Sequence, residues 1–452
     1  MGVFSRLKSY IGRNGIKAAF FRILEGFFEL RRDYSYNKRR QESQGTNTVC
    51  KGLEREFLLS VLVPAYETEP EYFKRLLLSL KAQTYTNFEL IVSDASRSDT
   101  VEKLCGFFLA GSDLPFTLKY KHLSSNLGIS GNTNAALAEA EGEFITLLDH
   151  DDFLEPDSLY ETVKALQKGA DIVYKDEDKY DGRRRRYFSP NFKPDFDQDL
   201  LLSNNYICHL LTVRTSLARK IGGFRSDFDG AQDHDFLLRL SEIVEGKSIV
   251  HVPKVLYHWR TSGGSTADNP DSKAYAYENG RRAVQDYFDR MGLEVMVRHD
   301  RYRGFYKCDY SGSFVAKEKY IALFDRRLKP EDGDAEKRLA GFLSRPEIGM
   351  AGGRIVSSRG SIICNGYRLD ECGRRVSLYD KMNANFSGYM HRAALIQEVE
   401  AVSRHAAVIR QELRDCLCAD SMELCRRVRE RGYKVIIDPS VVFFSAPKHG
   451  GQ

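Results

Sequence analysis

The chain predicts an α/β protein with a mostly parallel central sheet. Short apolar runs alternate with stretches whose apolar residues recur at helical spacing, the pattern of βαβ units. Several of the runs are near-continuously apolar, as expected of strands covered on both faces. Each run also stops abruptly at a polar or acidic residue. Phe57–Pro64 reads as the first strand, ended by Pro64. Tyr72–Thr84 follows as a helix with Phe73, Leu76, Leu77 and Leu80 on one face. Phe88–Asp94 is the second strand, Val101–Phe108 a helix, and Thr117–His122 a third strand. Asn126–Asn132 leads into a helix through Ala140, and Phe144–Leu148 is a further buried strand.

The strand ends carry the chemistry. Tyr66 and Glu67 follow the first strand, Asp94 ends the second, and Asp149-His150-Asp151-Asp152 follows Phe144–Leu148. In a parallel sheet these ends share one edge, where open α/β sheets bind ligands. Carboxylates gathered there repel one another, and a divalent cation relieves that repulsion; Mg2+ is commonly held by one or two carboxylates plus substrate phosphates. The other reading of Asp149–Asp152 is a solvated acidic turn that caps the next helix. The loop at Gly128–Gly131 either brings backbone close to a phosphate or is a plain turn before a helix. It is not G-x-G-x-x-G, and no G-x-x-x-x-G-K-[ST] occurs, so kinase, P-loop and dinucleotide sites are not expected.

The 452 residues suggest two or three domains with a sizeable core. Net charge is +5, yet residues 1–40 hold ten Lys/Arg against Glu25, Glu29 and Asp33, a net +7 that leaves about −2 for the rest. A nucleic-acid-binding surface spread over the fold is therefore not expected. Nine scattered cysteines, with no C-x-x-C pair, read as free thiols of a reducing compartment rather than a zinc site. No apolar run reaches the ~20 residues of a membrane span, and no signal peptide is expected. Residues 1–45 read as one or two amphipathic helices broken near Gly12 and Gly15, with Ile16, Phe20, Ile23, Leu24 and Phe27 at helical spacing. Such a basic helix lies on an anionic membrane surface, docks on its own protein, or serves a partner. Polar residues 41–56 read as a linker.

Ser60–Glu67, Gln83–Ser96, Asn126-Leu127-Gly128 and Leu148–Asp152 together resemble the family 2 glycosyltransferases with a GT-A fold. The resemblance runs on through Tyr174–Lys179, Phe192–Asp195, Ile221–Phe224, Gln232–Asp235 and Leu256–Arg260, covering about residues 57–290. It is greatest toward bacterial enzymes of O-antigen and other surface polysaccharides, often of rhamnosyltransferase type. The resemblance implies that Pro64, Tyr66, Glu67 and Asp94 hold the base and ribose of a nucleotide sugar. Where the family often has a pair of acids, this chain has Ser93-Asp94. The resemblance also makes Asp149 and Asp151 a D-x-D motif that holds Mg2+ or Mn2+ on the donor diphosphate, with Asp152 close by. Asp233 falls on the general-base position, preceded by Gln232 where Glu is usual; Asp233 and Asp235 also read as helix caps. His258 would meet the metal, or be structural, and Arg260 and Gly128 would meet the donor. The run Arg183–Arg186 is a solvated hairpin tip or a contact for a lipid-diphosphate acceptor.

The C-terminal part echoes the first. Lys319–Pro330 resembles Phe144–Pro156, Ser421–Arg427 resembles Asp233–Arg239, and Asp438–Val442 resembles Val252–Leu256. Arg327 then stands at the place of Asp151 and Ser421 at that of Asp233. Expected domains are thus a basic helical segment and linker (1–56), a catalytic GT-A domain (57–300) and a truncated, non-catalytic GT-A-like module (301–452). The resemblance implies an inverting, metal-dependent transferase at the cytoplasmic membrane face. It would move sugar from a UDP- or dTDP-sugar to a hydroxyl of a surface glycan, free or polyprenyl-diphosphate-linked. The alternative is a non-catalytic glycan-binding or scaffold protein that keeps the fold.

Overall fold

A computed structural model describes residues 3–43, 52–111, 114–261, 274–313 and 315–446. The chain divides into two compact units, residues 29–196 with 205–284, and residues 1–28 with 197–204 and 285–452.

The first of these units is built on a nine-stranded sheet. In chain order its strands are β1 (Leu59–Ala65), β2 (Phe88–Asp94), β3 (Thr117–His122), β4 (Phe144–Leu147), β5 (Phe153–Leu154), β6 (Ile172–Asp181), β7 (Arg186–Asn191), β8 (Leu211–Arg214) and β9 (Ile249–Thr261). They lie in the order β3-β2-β1-β4-β8-β6-β9-β5, with β7 on β6. Strands β3, β2, β1 and β4 are parallel. Strand β8 runs antiparallel between β4 and β6, which restores the direction of β6 and β9. Every residue of β1 and β2 is buried, which fits their mostly apolar character. Two helices cover this part: α2 (Pro70–Lys81), begun by Pro70, and α3 (Thr100–Gly111). Phe73, Leu76, Leu77 and Leu80 of α2 pack into the same core as Val61, Val63 and Phe144. Next come α4 (Gly128–Ala138), α5 (Ser158–Leu166), α6 (Gln198–Ser203, in the other unit), α7 (Thr215–Lys220) and α8 (Gln232–Ser241).

The basic N-terminal segment forms α1 (Val3–Ser43), which runs helically through Gly12 and has a non-helical residue at Gly15 (φ 80°, ψ 164°). Its later part docks on the sheet-bearing unit. Tyr36 donates to Asp178 at 2.6 Å, Asp33 accepts from the Ser189 amide at 2.9 Å, and Asn37 accepts from the Tyr187 amide at 3.0 Å. Its earlier part packs Phe21 edge-on against Phe386, while Glu25 accepts from the Ser387 amide and hydroxyl. Ile16, Phe20, Ile23 and Phe27 stay exposed. No helix among the described residues is long and apolar enough to cross a membrane.

The other unit continues from α9 (Ala274–Arg290) through the hairpin β10 (Met296–His299) and β11 (Tyr306–Asp309). Its main sheet comprises β12 (Tyr320–Phe324), β13 (Leu328–Pro330), β14 (Ile348–Val356), β15 (Ile362–Cys364), β18 (Gln397–Glu398), β19 (Ala406–Arg410) and β20 (Lys434–Ser445); β16 (Tyr367–Leu369) and β17 (Arg375–Ser377) pair separately. The order β12-β19-β14-β20-β13 repeats β4-β8-β6-β9-β5, with the same directions at every junction. Helices α10 (Ala335–Gly341) and α11 (Ser421–Glu430) take the chain positions of α5 and α8. Counterparts of β1, β2 and β3 are missing from this path among the described residues. This second sheet is thus a truncated copy of the first.

Candidate active site

The parallel strands deliver their carboxyl ends to one edge. At that edge β4 breaks into Asp149–Asp152, held by the Leu148 amide on the Leu62 carbonyl (3.1 Å) and by His150 Nδ1 against Thr68 Oγ1 (2.8 Å). Antiparallel pairing of Leu147 with Leu211 brings the residues before β8 to the same place, so His209 Nε2 lies 3.7 Å from Asp149 Oδ2. Asp233 arrives from the first turn of α8.

The carboxylates there are not equivalent. Asp152 is fully buried; it accepts from the Arg260 amide at 2.7 Å and from the Tyr257 hydroxyl. Burial, then the charges of Asp151 and Asp149, push its pKa well above the usual carboxylate range. Asp152 therefore belongs to the frame. Asp151 is also raised, first by burial, with Asp149 adding and His150 opposing. Asp149 keeps 44% of its side chain exposed. Burial raises the Asp233 carboxyl to about 6, with Asp149 adding and His209 opposing. Asp233 does not cap α8, whose N-cap is Ala231; it accepts from Gln232 Nε2 at 3.1 Å. Asp235 is an ion-pair partner of Arg225 and of Arg239.

His209 was not among the residues singled out from the sequence. Burial pulls its pKa down, while Cys208 and then Asp149 and Glu177 push it up, and the result lies well above the ordinary histidine value. The ring stacks on Tyr257 at 4.8 Å, and the His209 amide donates to Glu177 at 3.2 Å. Glu177 also holds Lys193 Nζ at 3.1 Å, and the Lys193 amide donates to Asp176 at 2.8 Å. Glu177 and Lys193 of the segments Tyr174–Lys179 and Phe192–Asp195 thus support the backbone of His209. The available signal was position alone: a histidine just ahead of a strand that runs antiparallel beside the acidic one.

Other expected residues are placed differently. Asp94 is fully buried, and its two oxygens accept from the Ser96 amide (2.9 Å) and the Tyr120 hydroxyl (3.0 Å), so it secures the strand-end turn. Pro64 lies inside β1 opposite Ser93, while Tyr66 is 41% exposed at the edge. Glu67 accepts from the Arg97 amide at 2.9 Å and has φ of 46°. Gly128 has φ of 76°, and a Cβ there would come within 2.3 Å of Asp229 Oδ2. Asp229 also accepts from the Ser130 amide at 3.2 Å, so a protein carboxylate takes the place at the start of α4 where a phosphate was one expectation. His258 is fully buried, with Nδ1 2.5 Å from Asp178 and Nε2 2.8 Å from Glu155. Burial pulls its pKa down, but Asp178 and Glu155 push it up on balance, and both nitrogens are already engaged, Nε2 also lying 3.0 Å from Arg40 Nη2. A metal needs a neutral ring with a free lone pair, so His258 is set apart from the metal-ligand role.

No group of three or more His, Cys, Asp or Glu side chains among the described residues forms a metal cluster. Asp149 and Asp151 still fit a divalent cation. Both are oxygen donors, the repulsion between them raises Asp151, and Mg2+ sites commonly use two carboxylates with the rest of the shell from substrate and water.

Comparison with known proteins follows the same ground. Residues 60–222 match the family model described as Glycosyl transferase family 2. An uncharacterised protein, y4gI, of Sinorhizobium fredii is 38% identical over 259 residues, 56% of this chain and 28% of its own length. The O-antigen biosynthesis protein RfbC of Myxococcus xanthus is 33% identical over 248 residues, 54% of this chain and 19% of its own. The alignments thus span less than a third of these relatives. Among solved structures, S. aureus TarS 1–349 in complex with UDP-GlcNAc is 22% identical with a TM-score of 0.41, covering 51% of this chain and 66% of that one.

The two-sided influence on Asp233 is testable by NMR titration of its carboxyl carbon. A midpoint near 6 is expected. His209→Gln should raise it, by removing a positive charge, and Asp149→Asn should lower it. An ordinary midpoint near 4, unmoved by either change, would contradict the geometry.

Proposed function

Given that residues 60–222 form a glycosyl transferase family 2 domain, we propose that the chain transfers a sugar, with inversion, from a UDP- or dTDP-sugar to a hydroxyl of a growing surface glycan. The observation that carries this reading is Asp233: a half-buried carboxyl with a pKa near 6, sharing one sheet edge with Asp149 and Asp151. A general base works best when its pKa lies near the working pH. Asp233 takes the acceptor proton as the hydroxyl oxygen attacks the anomeric carbon from the side opposite the leaving diphosphate. Asp149 and Asp151 are the residues that would hold Mg2+ or Mn2+, which when bound offsets the charge of the leaving diphosphate. Protonated His209, 3.7 Å from Asp149, limits the repulsion at that edge and keeps Asp233 from rising further. Tyr66 and Glu67 flank the donor side. RfbC is named for O-antigen biosynthesis, and a surface polysaccharide is the corresponding acceptor class here.

We further place the chain at the inner membrane face. Ile16, Phe20, Ile23 and Phe27 are exposed on α1 beside exposed Lys17. Apolar insertion joined to attraction for anionic lipid is the physics of an interfacial helix.

Asp151→Ala and Asp233→Asn should each lower transfer from a nucleotide sugar with Mn2+ by about 100- to 10,000-fold, the usual weight of acid–base groups. Nucleoside diphosphate release equal to wild type in both would sink the catalytic reading. The rate should fall about tenfold per pH unit below 6, because a base with a raised pKa loses its carboxylate form as pH drops through that value. For the membrane reading, wild type should float with anionic liposomes. Phe20→Glu/Phe27→Glu should stay at the bottom of the gradient, and equal flotation would refute it.

A further inference from the structure

The sheet-bearing unit also holds a cavity of about 1210 Å³ whose walls include none of Asp149, Asp151 or Asp233. It is bounded by α2, β5, the β6–β7 hairpin and the end of β9. Its lining is strongly cationic: Lys74, Arg75, Arg183 to Arg186 and Arg260, against Glu71, Glu155 and Asp181. Two of these acids are already engaged. Glu155 pairs with Arg40 and His258, and Asp181 accepts from the amides of Arg183 (3.0 Å) and Arg184 (3.1 Å).

Arg75 and Arg260 have no carboxylate partner within ion-pair distance among the described residues. Arg75 stacks over Phe153 at 4.0 Å and Tyr180 at 4.5 Å, and its Nη1 donates to the Tyr180 hydroxyl at 3.2 Å. Arg260 lies over Tyr72 at 4.5 Å and is only 4% exposed. Its Nε donates to the Asp151 carbonyl at 2.8 Å, while its buried Nη2 has no hydrogen-bond partner. A buried guanidinium nitrogen left unpaired is costly. Guanidinium N–H groups of this kind bind phosphate oxygens in pairs. The volume far exceeds one phosphate, and five aromatic rings (Tyr72, Phe153, Tyr180, Tyr187 and Phe188) line it.

We propose that this cavity is an acceptor subsite that binds the diphosphate group linking a glycan acceptor to an apolar carrier. The proposal rests on the transferase reading for the word acceptor, and on this geometry for the diphosphate. Arg260 connects the cavity to the strand-end acids, since the same side chain holds the backbone of Asp151.

The test uses the full chain and calorimetric binding of four probes: geranyl diphosphate, geraniol, inorganic diphosphate, and UDP with Mn2+. Wild type should bind geranyl diphosphate and not geraniol, and bind inorganic diphosphate more weakly. Arg75→Leu, and separately Arg183→Gln/Arg185→Gln on the hairpin, should each weaken geranyl diphosphate at least tenfold and leave UDP within twofold, which also shows that the variants are folded. Failure of wild type to bind geranyl diphosphate, or variants that bind it unchanged, overturns the proposal. Equal weakening of UDP assigns the cavity to the donor and overturns it too. Inorganic diphosphate bound as tightly as geranyl diphosphate overturns the carrier-linked source. Loss of UDP binding in wild type, with Arg75-dependent geranyl diphosphate binding intact, would remove the transferase reading and keep the diphosphate site.

Discussion

The constraint on which the rest depends is the repulsion among carboxylates at one sheet edge. Asp149, Asp151, Asp152 and Asp233 converge because parallel β4 ends where α8 begins and where antiparallel β8 enters. The protein absorbs part of the charge itself. Asp152 is taken up by Tyr257 and the Arg260 amide, and His209 stands against Asp149 as a cation. Among the described residues, Asp149 has His209 as its ion-pair partner, and Asp151 and Asp233 have none. That residue of negative charge is what a divalent ion and an incoming hydroxyl can use.

The second sheet serves as an internal control on this argument. Its strands β12, β19, β14, β20 and β13 retrace β4, β8, β6, β9 and β5. Even the acid–histidine pair recurs: His405 Nδ1 lies 3.4 Å from Asp325, as His209 lies 3.7 Å from Asp149. The pair therefore belongs to the scaffold and is not by itself a mark of catalysis. The difference comes two residues later. Where the first copy has Asp151, the second has Arg327, whose Nη2 meets Asp325 at 2.7 Å and whose Nε meets it at 3.0 Å. That guanidinium supplies the positive charge that the first copy lacks, and Arg327 holds the Asp325 carboxyl well below the usual range. Ser421, in the place of Asp233, accepts from the Arg404 amide at 3.1 Å, a structural role.

Much of this was legible in the sequence because it is local. Continuous apolar runs revealed β1, β2 and β4 within one or two residues, and strand-end acids revealed the edge. The decayed repeat was legible from order and spacing. What was not legible depends on distant segments. His209 gains its role from Asp149 across an antiparallel pairing that no periodicity announces. The loop at Gly128 reads as a phosphate contact or a plain turn until Asp229, about a hundred residues on, is found against it. His258 reads as a metal contact or a structural residue until Asp178 and Glu155 close on both nitrogens. Arg40, on the N-terminal helix, joins that same cluster, so a segment read as lying on a membrane, docking on its own protein or serving a partner completes a buried ion network.

The role proposed for Asp149 and Asp151 is to hold a divalent ion within reach of Asp233. Crystals of the protein grown with Mn2+ and UDP, measured at the manganese absorption edge, test it most directly. The account predicts one strong anomalous peak within coordination distance of a carboxylate oxygen of each of Asp149 and Asp151, and beside the nucleotide diphosphate. Nucleotide bound at this edge with no such peak, or a peak held by other residues, would contradict it.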